Sequence, residues 1–141
     1  MKKVKVIVER GNDNRYSAYM DYYGFDFGLA GFGNNAKEAI ADINAAYEEE
    51  KKLRQNEGKE MPELEFEIYF DVCSFLDYYS GILSKSGLEK VTGINQKQLW
   101  HYSSGIRQPK PATARKIQAG LHQFADDLKQ VQFVIPGGLV P

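Results

Sequence analysis

The spacing of apolar residues follows two different periods in this chain of 141 residues, and the balance between them changes close to residue 71. Before that point most apolar runs alternate with other residues, as they do over residues 4–8. Beyond it they recur three and four positions apart, as in Val72, Phe75, Leu76 and Tyr79. Alternation turns one face of a strand towards a core, whereas the wider spacing does so for a helix. The change therefore predicts an α+β fold in two units, a sheet-containing domain over residues 1–70 and an all-α domain over residues 71–135.

The first half of the sheet-containing domain is predicted to be a hairpin followed by a third strand. Residues 4–8 and 15–20 both alternate, and residues 11–14 between them are rich in turn-forming Gly, Asn and Asp. Two alternating runs joined by such a segment are typical of a β-hairpin. A third strand is expected next, ending at residues 31–33 and presenting on one face Phe25, Phe27 and Leu29.

A helix and a fourth strand complete the predicted order β-β-β-α-β. Asn35 is followed three residues later by Glu38, which is the spacing of a capping box at a helix N-terminus. Residues 64–70 alternate again, as a strand does. The helix between them is expected to pack on the sheet through residues at helical spacing, namely Ala36, Ile40, Ile43 and Tyr47.

The second unit is predicted to contain short helices and an apolar tail. After a helix that starts at Asp71, one is expected at residues 88–92 and one at 96–104, and Gly105 stops the latter. The tail, residues 131–135, is apolar and β-like, and the two glycines that follow are expected to fray it. Such a tail can cover the core of its own chain or add a strand to a partner. Pro111 suits the first turn of a last helix, whose apolar stripe is Ile117, Leu121, Phe124 and Leu128.

Charge divides unevenly between the two halves of the chain. Residues 1–80 hold ten Lys and Arg against sixteen Asp and Glu, a net charge of −6, and residues 81–141 hold eight against three, a net charge of +5. A basic half of this kind indicates an anionic partner, and nucleic acid is the usual one for a small domain. No apolar run is long enough to span a membrane, and the single Cys73 cannot form an internal disulfide. A cytoplasmic setting is therefore expected.

The segment 95–104 has the two opposed faces that a helix needs to enter the major groove of DNA. At about 100° per residue, Leu99 and Tyr102 fall on the side that should face the core. Asn95 is expected to be the N-cap, with Gln98 as its capping-box partner and with free N–H groups directed at the DNA. The residues expected to bind DNA are Asn95, Gln96, Lys97, Gln98, Trp100, His101, Ser104, Arg107 and Lys110.

These residues are expected to have different roles. Gln96, Lys97 and His101 are the candidates for base edges, because Gln can pair with adenine and Lys with guanine. An outward Trp100 invites a partner, or else folds back on the core of its own domain or of a dimer mate. Phosphate contacts, which add affinity and little sequence information, are expected from the flanking cations Lys85, Lys90, Arg107 and Lys110.

No pattern of residues predicts catalysis, a cofactor or a metal site. Asp13, Asp21 and Asp26 are the carboxylates that a metal-dependent nuclease would need, but no period places them on one inward face. The histidines, His101 and His122, lack the spacing of metal ligands. The chain is therefore expected not to be an enzyme.

The second unit resembles the helix-turn-helix of XRE/Cro-type regulators over residues 84–129. In those regulators a small residue usually stands where this chain has Glu89. The resemblance implies that residues 95–104 form the recognition helix, and a dimer would then read half-sites about 34 Å apart or a multiple of that. The likeness is carried by the spacing of Leu88, Gly93, Ile94, Leu99, Tyr102 and Gly105.

The first unit resembles the N-terminal domain of HicB-type antitoxins, which has a partial RNase H-like fold and is often joined to a helix-turn-helix. Residues 5–9, 16–19 and 35–40 carry the likeness, while a proline usual in that family is absent from residues 21–24. The resemblance implies an antitoxin of a type II toxin–antitoxin pair. Its N-terminal domain would neutralise a small, basic, mRNA-cleaving HicA-like toxin, and its helix-turn-helix would bind operator DNA and repress its own operon.

A stand-alone, or orphan, transcription regulator is the alternative interpretation. In that case the N-terminal domain only oligomerises or senses a ligand. Both interpretations imply a homodimer or tetramer and no membrane partner. An enzyme with a degenerate nuclease fold is a third and weaker alternative.

Overall fold

The computed structural model describes residues 1–139, which have a mixed α+β architecture. The described part of the chain contains a four-stranded mixed sheet and five helices. The first helix lies between the third and fourth strands, and the other four follow the sheet. The elements in chain order are β1 (Lys2–Arg10), β2 (Tyr16–Met20), β3 (Ala30–Gly33), α1 (Ala36–Asn56), β4 (Leu64–Phe70), α2 (Val72–Tyr78), α3 (Lys85–Thr92), α4 (Gln96–Ser103), α5 (Pro111–Lys129), β5 (Val134–Ile135) and β6 (Gly138–Leu139). The order β-β-β-α-β and the change to helices after residue 71 are thus as the sequence predicts.

The sheet has the strand order β3-β2-β1-β4, so that the first strand is central. β1 runs antiparallel to β2 and parallel to β4, and β2 runs antiparallel to β3. Val6 lies opposite both Met20 and Ile68 in this register. Because side chains alternate between the faces, the valines of β1 fall on the face covered by α1 and form the centre of the first core.

The third strand is not where the sequence prediction placed it. Residues 21–29, which include Phe25 and Phe27, are irregular, and β3 begins only at Ala30. The reason is steric, since Gly31 and Gly33 lie against α1. A Cβ on Gly31 would lie 2.3 Å from the backbone nitrogen of Ile43. On the side of β3 that faces α1, only residues without side chains fit this close to the helix, and Phe25 and Phe27 stack on each other at the edge of the core instead.

The predicted N-terminus of α1 is confirmed. The Asn35 side chain accepts a hydrogen bond from the Glu38 backbone nitrogen at 2.8 Å, and Glu38 accepts one from the Asn34 backbone nitrogen at 3.1 Å. The helix buries Ala36, Ala39, Ile43 and Tyr47, whereas the predicted core residue Ile40 is half-buried.

A second core is formed by the helices after residue 71, and it comprises Leu76, Leu88, Ile94, Leu99, Tyr102 and Ile117. The apolar stripe of α5 contributes to it less than expected, because Leu128 at the end of the helix is exposed. The tail is better ordered than expected. Gly137 has a φ of 96° and makes the turn between β5 and β6, so these glycines close a short hairpin rather than fray it.

Helix α2 joins the two cores through the carboxylates before and within it. Asp71 accepts hydrogen bonds from the backbone nitrogens of Ser74 at 2.7 Å and of Arg10 at 3.2 Å. Asp77 accepts one from the Ala36 nitrogen at 2.9 Å, at the start of α1. One short helix therefore fixes the position of β1 and of α1 relative to the helices that follow.

Candidate nucleic-acid interface

Helices α3 and α4 are joined by a turn that the sequence encodes almost completely. Gly93 ends α3 with a φ of 76°, a conformation that glycine adopts without strain. The Thr92 hydroxyl donates to the Leu88 carbonyl at 2.7 Å and accepts from the Ile94 nitrogen at 3.2 Å. With Leu88 and Ile94 both buried, the turn is held from both sides, and α4 starts in a defined direction.

The two faces of α4 differ as the helical wheel predicts. Leu99 is 0% exposed and Tyr102 is 4% exposed, and both belong to the second core. His101 is half-buried at the boundary between the two faces. The exposed side chains on α4 and its flanks are those of Asn95, Gln96, Lys97, Gln98, Trp100 and Ser104. A helix that is anchored by one face presents the other to a partner.

The N-terminus of α4 is closed by two side chains, of which sequence reasoning identified one. Asn95 is the N-cap, and its side chain accepts from the Lys97 nitrogen at 2.8 Å. The predicted partner Gln98 lies exposed, and the second acceptor is Glu89, whose carboxylate accepts from the Gln96 nitrogen at 2.9 Å. The capping-box prediction was therefore wrong for Gln98: the Asn95 side chain accepts from the Lys97 nitrogen rather than from the Gln98 nitrogen, and the other acceptor at this helix end is a carboxylate from α3. The two N–H groups expected to face DNA are already bonded within the chain.

Lys85 and Trp100 form a contact that the sequence pattern did not reveal. The Lys85 ammonium nitrogen lies 4.5 Å from the centroid of the Trp100 ring, and Trp100 is 61% exposed. Trp100 therefore does not fold back on the core of its own domain. The two residues are 15 positions apart, so only the packing of α3 against α4 brings them together.

The C-terminal end of α4 is held by the first unit of the chain. Arg10 donates from its guanidinium group to the Ser104 carbonyl at 2.7 Å, and the Cys73 thiol donates to the Ser103 carbonyl at 3.3 Å. Gly105 follows with a φ of 80°. Burial raises the pKa of the Cys73 thiol, which keeps it protonated as the donor in this bond. A cation and a donor at the negative end of the helix dipole stabilise its last turn.

The remaining predicted phosphate contacts lie in the loop beyond α4 and on α3. Arg107 and Lys110 are exposed, and Lys110 is the N-cap residue of α5. Lys90 is also exposed, while Lys85 is half-buried. These cations thus lie on the elements that precede and follow α4 in the chain, and Lys85 contacts the exposed face of α4 through Trp100. A basic surface around a helix of this kind can bind the phosphates of a duplex.

A second exposed surface lies on the sheet, on the face opposite α1. We call it the open sheet face, and it consists of the outward side chains of the four strands. Phe32 is 60% exposed and Tyr69 is 51% exposed on this face. Lys5 lies over the Tyr69 ring at 4.6 Å and is paired with Asp21 at 3.9 Å. The other outward residues include Ile7, Glu9, Ser17, Tyr19, Glu65 and Glu67. This face therefore combines exposed aromatic residues with charged residues of both signs, since Lys3 also lies on it, and exposed apolar surface of this kind is suited to a protein partner.

The three aspartates considered for a nuclease centre are not brought together. Asp13 accepts from the Arg15 nitrogen in the hairpin turn at 3.0 Å, and Asp21 pairs with Lys5. Asp26 pairs with Arg54, whose hydrogen bond lowers the pKa of that carboxyl group. Over residues 1–139, no group of three or more His, Cys, Asp or Glu side chains is arranged to hold a metal ion. Nor does any helix in those residues have the length and apolar character needed to cross a membrane.

In comparisons with family models, with curated proteins and with solved structures, none matched this chain.

Proposed function

We propose that this chain is a DNA-binding regulator and that the exposed face of α4 enters the major groove. The observation that carries the proposal is the division of α4 into a buried face, with Leu99 and Tyr102, and an exposed face without a carboxylate. Lys97 and Gln96 on that face have the side chains that read guanine and adenine. The half of the chain that contains α4 has eight Lys and Arg against three Asp and Glu, a net charge of +5 over residues 81–141. This charge favours binding to phosphates.

We further propose that the regulator is an antitoxin of HicB type, with the open sheet face as the surface that binds a small basic HicA-like toxin. Two features support the proposal. The first unit has the order β-β-β-α-β, and it leaves one sheet face exposed with aromatic residues such as Phe32 and Tyr69. Residues 1–80 have ten Lys and Arg against sixteen Asp and Glu, a net charge of −6, which suits a basic partner.

DNA binding is tested on a duplex taken from upstream of the chain's own coding sequence. Lys97→Ala and His101→Ala are both expected to weaken binding. For Lys97→Ala we expect a loss of about tenfold, because a base contact contributes about 1–3 kcal/mol. Lys52→Ala, which removes an exposed charge from α1, is the control and should leave binding unchanged. Anisotropy titrations must be made at a fixed salt concentration, because phosphate contacts make the affinity depend on salt. Equal losses in all three variants would contradict a specific role for α4.

Antitoxin function is tested by co-purification with the products of neighbouring genes. We expect a stoichiometric small basic protein, and we expect its ribonuclease activity to be blocked by this chain. Tyr69→Ala on the open sheet face should weaken that complex and leave DNA binding intact, while Lys97→Ala should do the reverse. A homo-oligomer that binds its own upstream DNA but captures no such partner would instead support the stand-alone regulator.

A further inference from the structure

The Lys85 and Trp100 side chains form a contact between the first turn of α3 and the exposed face of α4. The ammonium nitrogen lies 4.5 Å from the ring centroid, within the range at which a cation is attracted to an aromatic ring. Lys85 is half-buried, so its aliphatic stem is packed while its charged end lies over the ring. The ring thus fixes the position of a positive charge beside the residues proposed to contact base edges.

No carboxylate in the described part of the chain forms an ion pair with Lys85. The ion pairs formed among residues 1–139 involve Lys5, Lys51, Arg54 and Lys59, and Lys85 is in none of them. A ring attracts a cation without neutralising it, so the ammonium group keeps its charge and its donors for an outside anion. The indole, by contrast, offers only one N–H donor and no acceptor to a base edge.

We propose that Trp100 is a platform that holds the Lys85 ammonium group against a DNA phosphate, so that the two residues act as one phosphate contact and Trp100 reads no base. The inference rests on the proposed DNA-binding function and names a contact within it. It also assigns Trp100 a role that needs neither a dimer mate nor a second protein. The ligand is a backbone phosphodiester, and its recognition is independent of sequence.

Lys85→Gln is the first test, on two duplexes, one from upstream of the chain's own coding sequence and one of unrelated sequence. We expect binding to weaken by roughly five- to tenfold on both, with the slope of log K against log salt falling in magnitude by about 0.9. Lys52→Gln removes the same charge from α1 and should change neither quantity. Loss of affinity on one duplex only would overturn the phosphate assignment, because a phosphate contact does not depend on sequence.

Trp100→Leu and Trp100→Phe test the platform. Leu keeps apolar bulk but has no aromatic face, and we expect it to weaken binding by about two- to fivefold. Phe keeps the face and should bind within about twofold of the unsubstituted chain. Trp100 is exposed, so either variant should fold, and far-UV circular dichroism checks this. Equal binding losses in the two variants would overturn a role for the ring face.

The double variant Lys85→Gln/Trp100→Leu decides whether the residues act together. If Trp100 acts only through Lys85, the double variant binds no more weakly than Lys85→Gln alone. Effects that multiply would overturn the proposal and show that Trp100 contacts DNA independently.

Trp100 is the single tryptophan of the chain, so its fluorescence should change when either duplex binds and change less in Lys85→Gln. If the unsubstituted chain shows no salt-dependent binding to either duplex, the proposed function itself is overturned. That outcome is distinct from effects that multiply.

Discussion

Gly31 and Gly33 allow the β3 strand to lie directly against α1. A Cβ on Gly31 would meet the backbone nitrogen of Ile43 at 2.3 Å and the Ala39 carbonyl oxygen at 2.6 Å. These neighbours belong to a helix backbone and cannot move as a flexible side chain does. Gly28, a few residues earlier, has nothing within 4 Å of such a Cβ. The requirement for glycine is thus specific to the residues of β3 that face α1.

Gly31→Ala is expected to lower the free energy of unfolding by about 3 kcal/mol, because the added methyl group forces the helix and strand apart. Gly28→Ala is the matched control and should change it by no more than about 1 kcal/mol in either direction. Urea denaturation followed by circular dichroism measures both. Similar midpoints for the two variants would show that β3 does not lie this close to α1.

Glu89 stabilises the start of α4 from the neighbouring helix α3. Its carboxylate accepts from the Gln96 nitrogen at 2.9 Å, so it satisfies a free donor at the start of α4 and complements the positive end of the helix dipole. The sequence predicted a capped N-terminus here and identified Asn95 correctly. It could not identify Glu89, because the residue precedes the helix by seven positions and reaches it only after α3 and α4 pack.

Glu89→Ala should cost about 1 kcal/mol of stability, as the loss of a helix cap does. Glu89→Gln keeps an acceptor oxygen and is expected to retain at least half of that contribution. Thermal or urea unfolding separates the two variants. A Glu89→Ala variant as stable as the unsubstituted chain would mean that this carboxylate does not cap α4.

At the level of elements, α2 and the β1–β2 hairpin connect the sheet to the helices. The Arg10 side chain reaches the Ser104 carbonyl across 94 positions of sequence, at 2.7 Å. Asp71 and Asp77 make two further bonds, to the backbone of β1 and of α1. The end of the proposed recognition helix is therefore held by a residue of the other unit. No local pattern could predict this, because caps and turns are encoded within a few residues whereas this contact is set by packing.

Arg10→Ala is expected to loosen the last turn of α4. Amide hydrogen exchange should become faster at Ser104 and Gly105, and stability should fall by about 1 kcal/mol, the usual contribution of one hydrogen bond. Arg15→Ala, at the exposed residue just before β2, is the control and should leave exchange at these amides unchanged. Equal exchange in the two variants would show that the hairpin does not support α4.

At the scale of the whole molecule, the C-terminal tail is an apolar segment that is exposed. Phe133 is 70% exposed and the paired strands β5 and β6 have only two residues each, which is too short to be stable alone. Over the described residues the tail does not cover the core of its own chain. The sequence left open whether the tail covers its own core or adds to a partner, and the exposure of Phe133 favours the partner. We therefore expect a homo-oligomer in which the tail is covered.

Phe133→Asp should reduce the oligomer to a smaller species, measured by sedimentation or by light scattering after gel filtration. It should also weaken binding to a two-half-site operator, whose half-sites are expected about 34 Å or a multiple of that apart, because one protomer reaches only one half-site. Ile82→Asp is the control, since Ile82 is 79% exposed but lies outside the tail. An unchanged mass for Phe133→Asp would show that the tail is not the interface.

What the sequence alone determined were the features set by neighbouring residues. Contacts within a few positions of the chain determine these features. They are the alternation in β1, β2 and β4, the helical spacing after Asp71, the N-caps Asn35 and Asn95, and the glycine turn at Gly93. Tertiary structure decided the rest. It shifted β3 from the phenylalanines to the glycines, placed β4 parallel to β1, brought Glu89 to α4, and set Lys85 over Trp100. The physical reason is that backbone period and capping are local properties, whereas steric clearance and side-chain reach between elements exist only once the elements have packed.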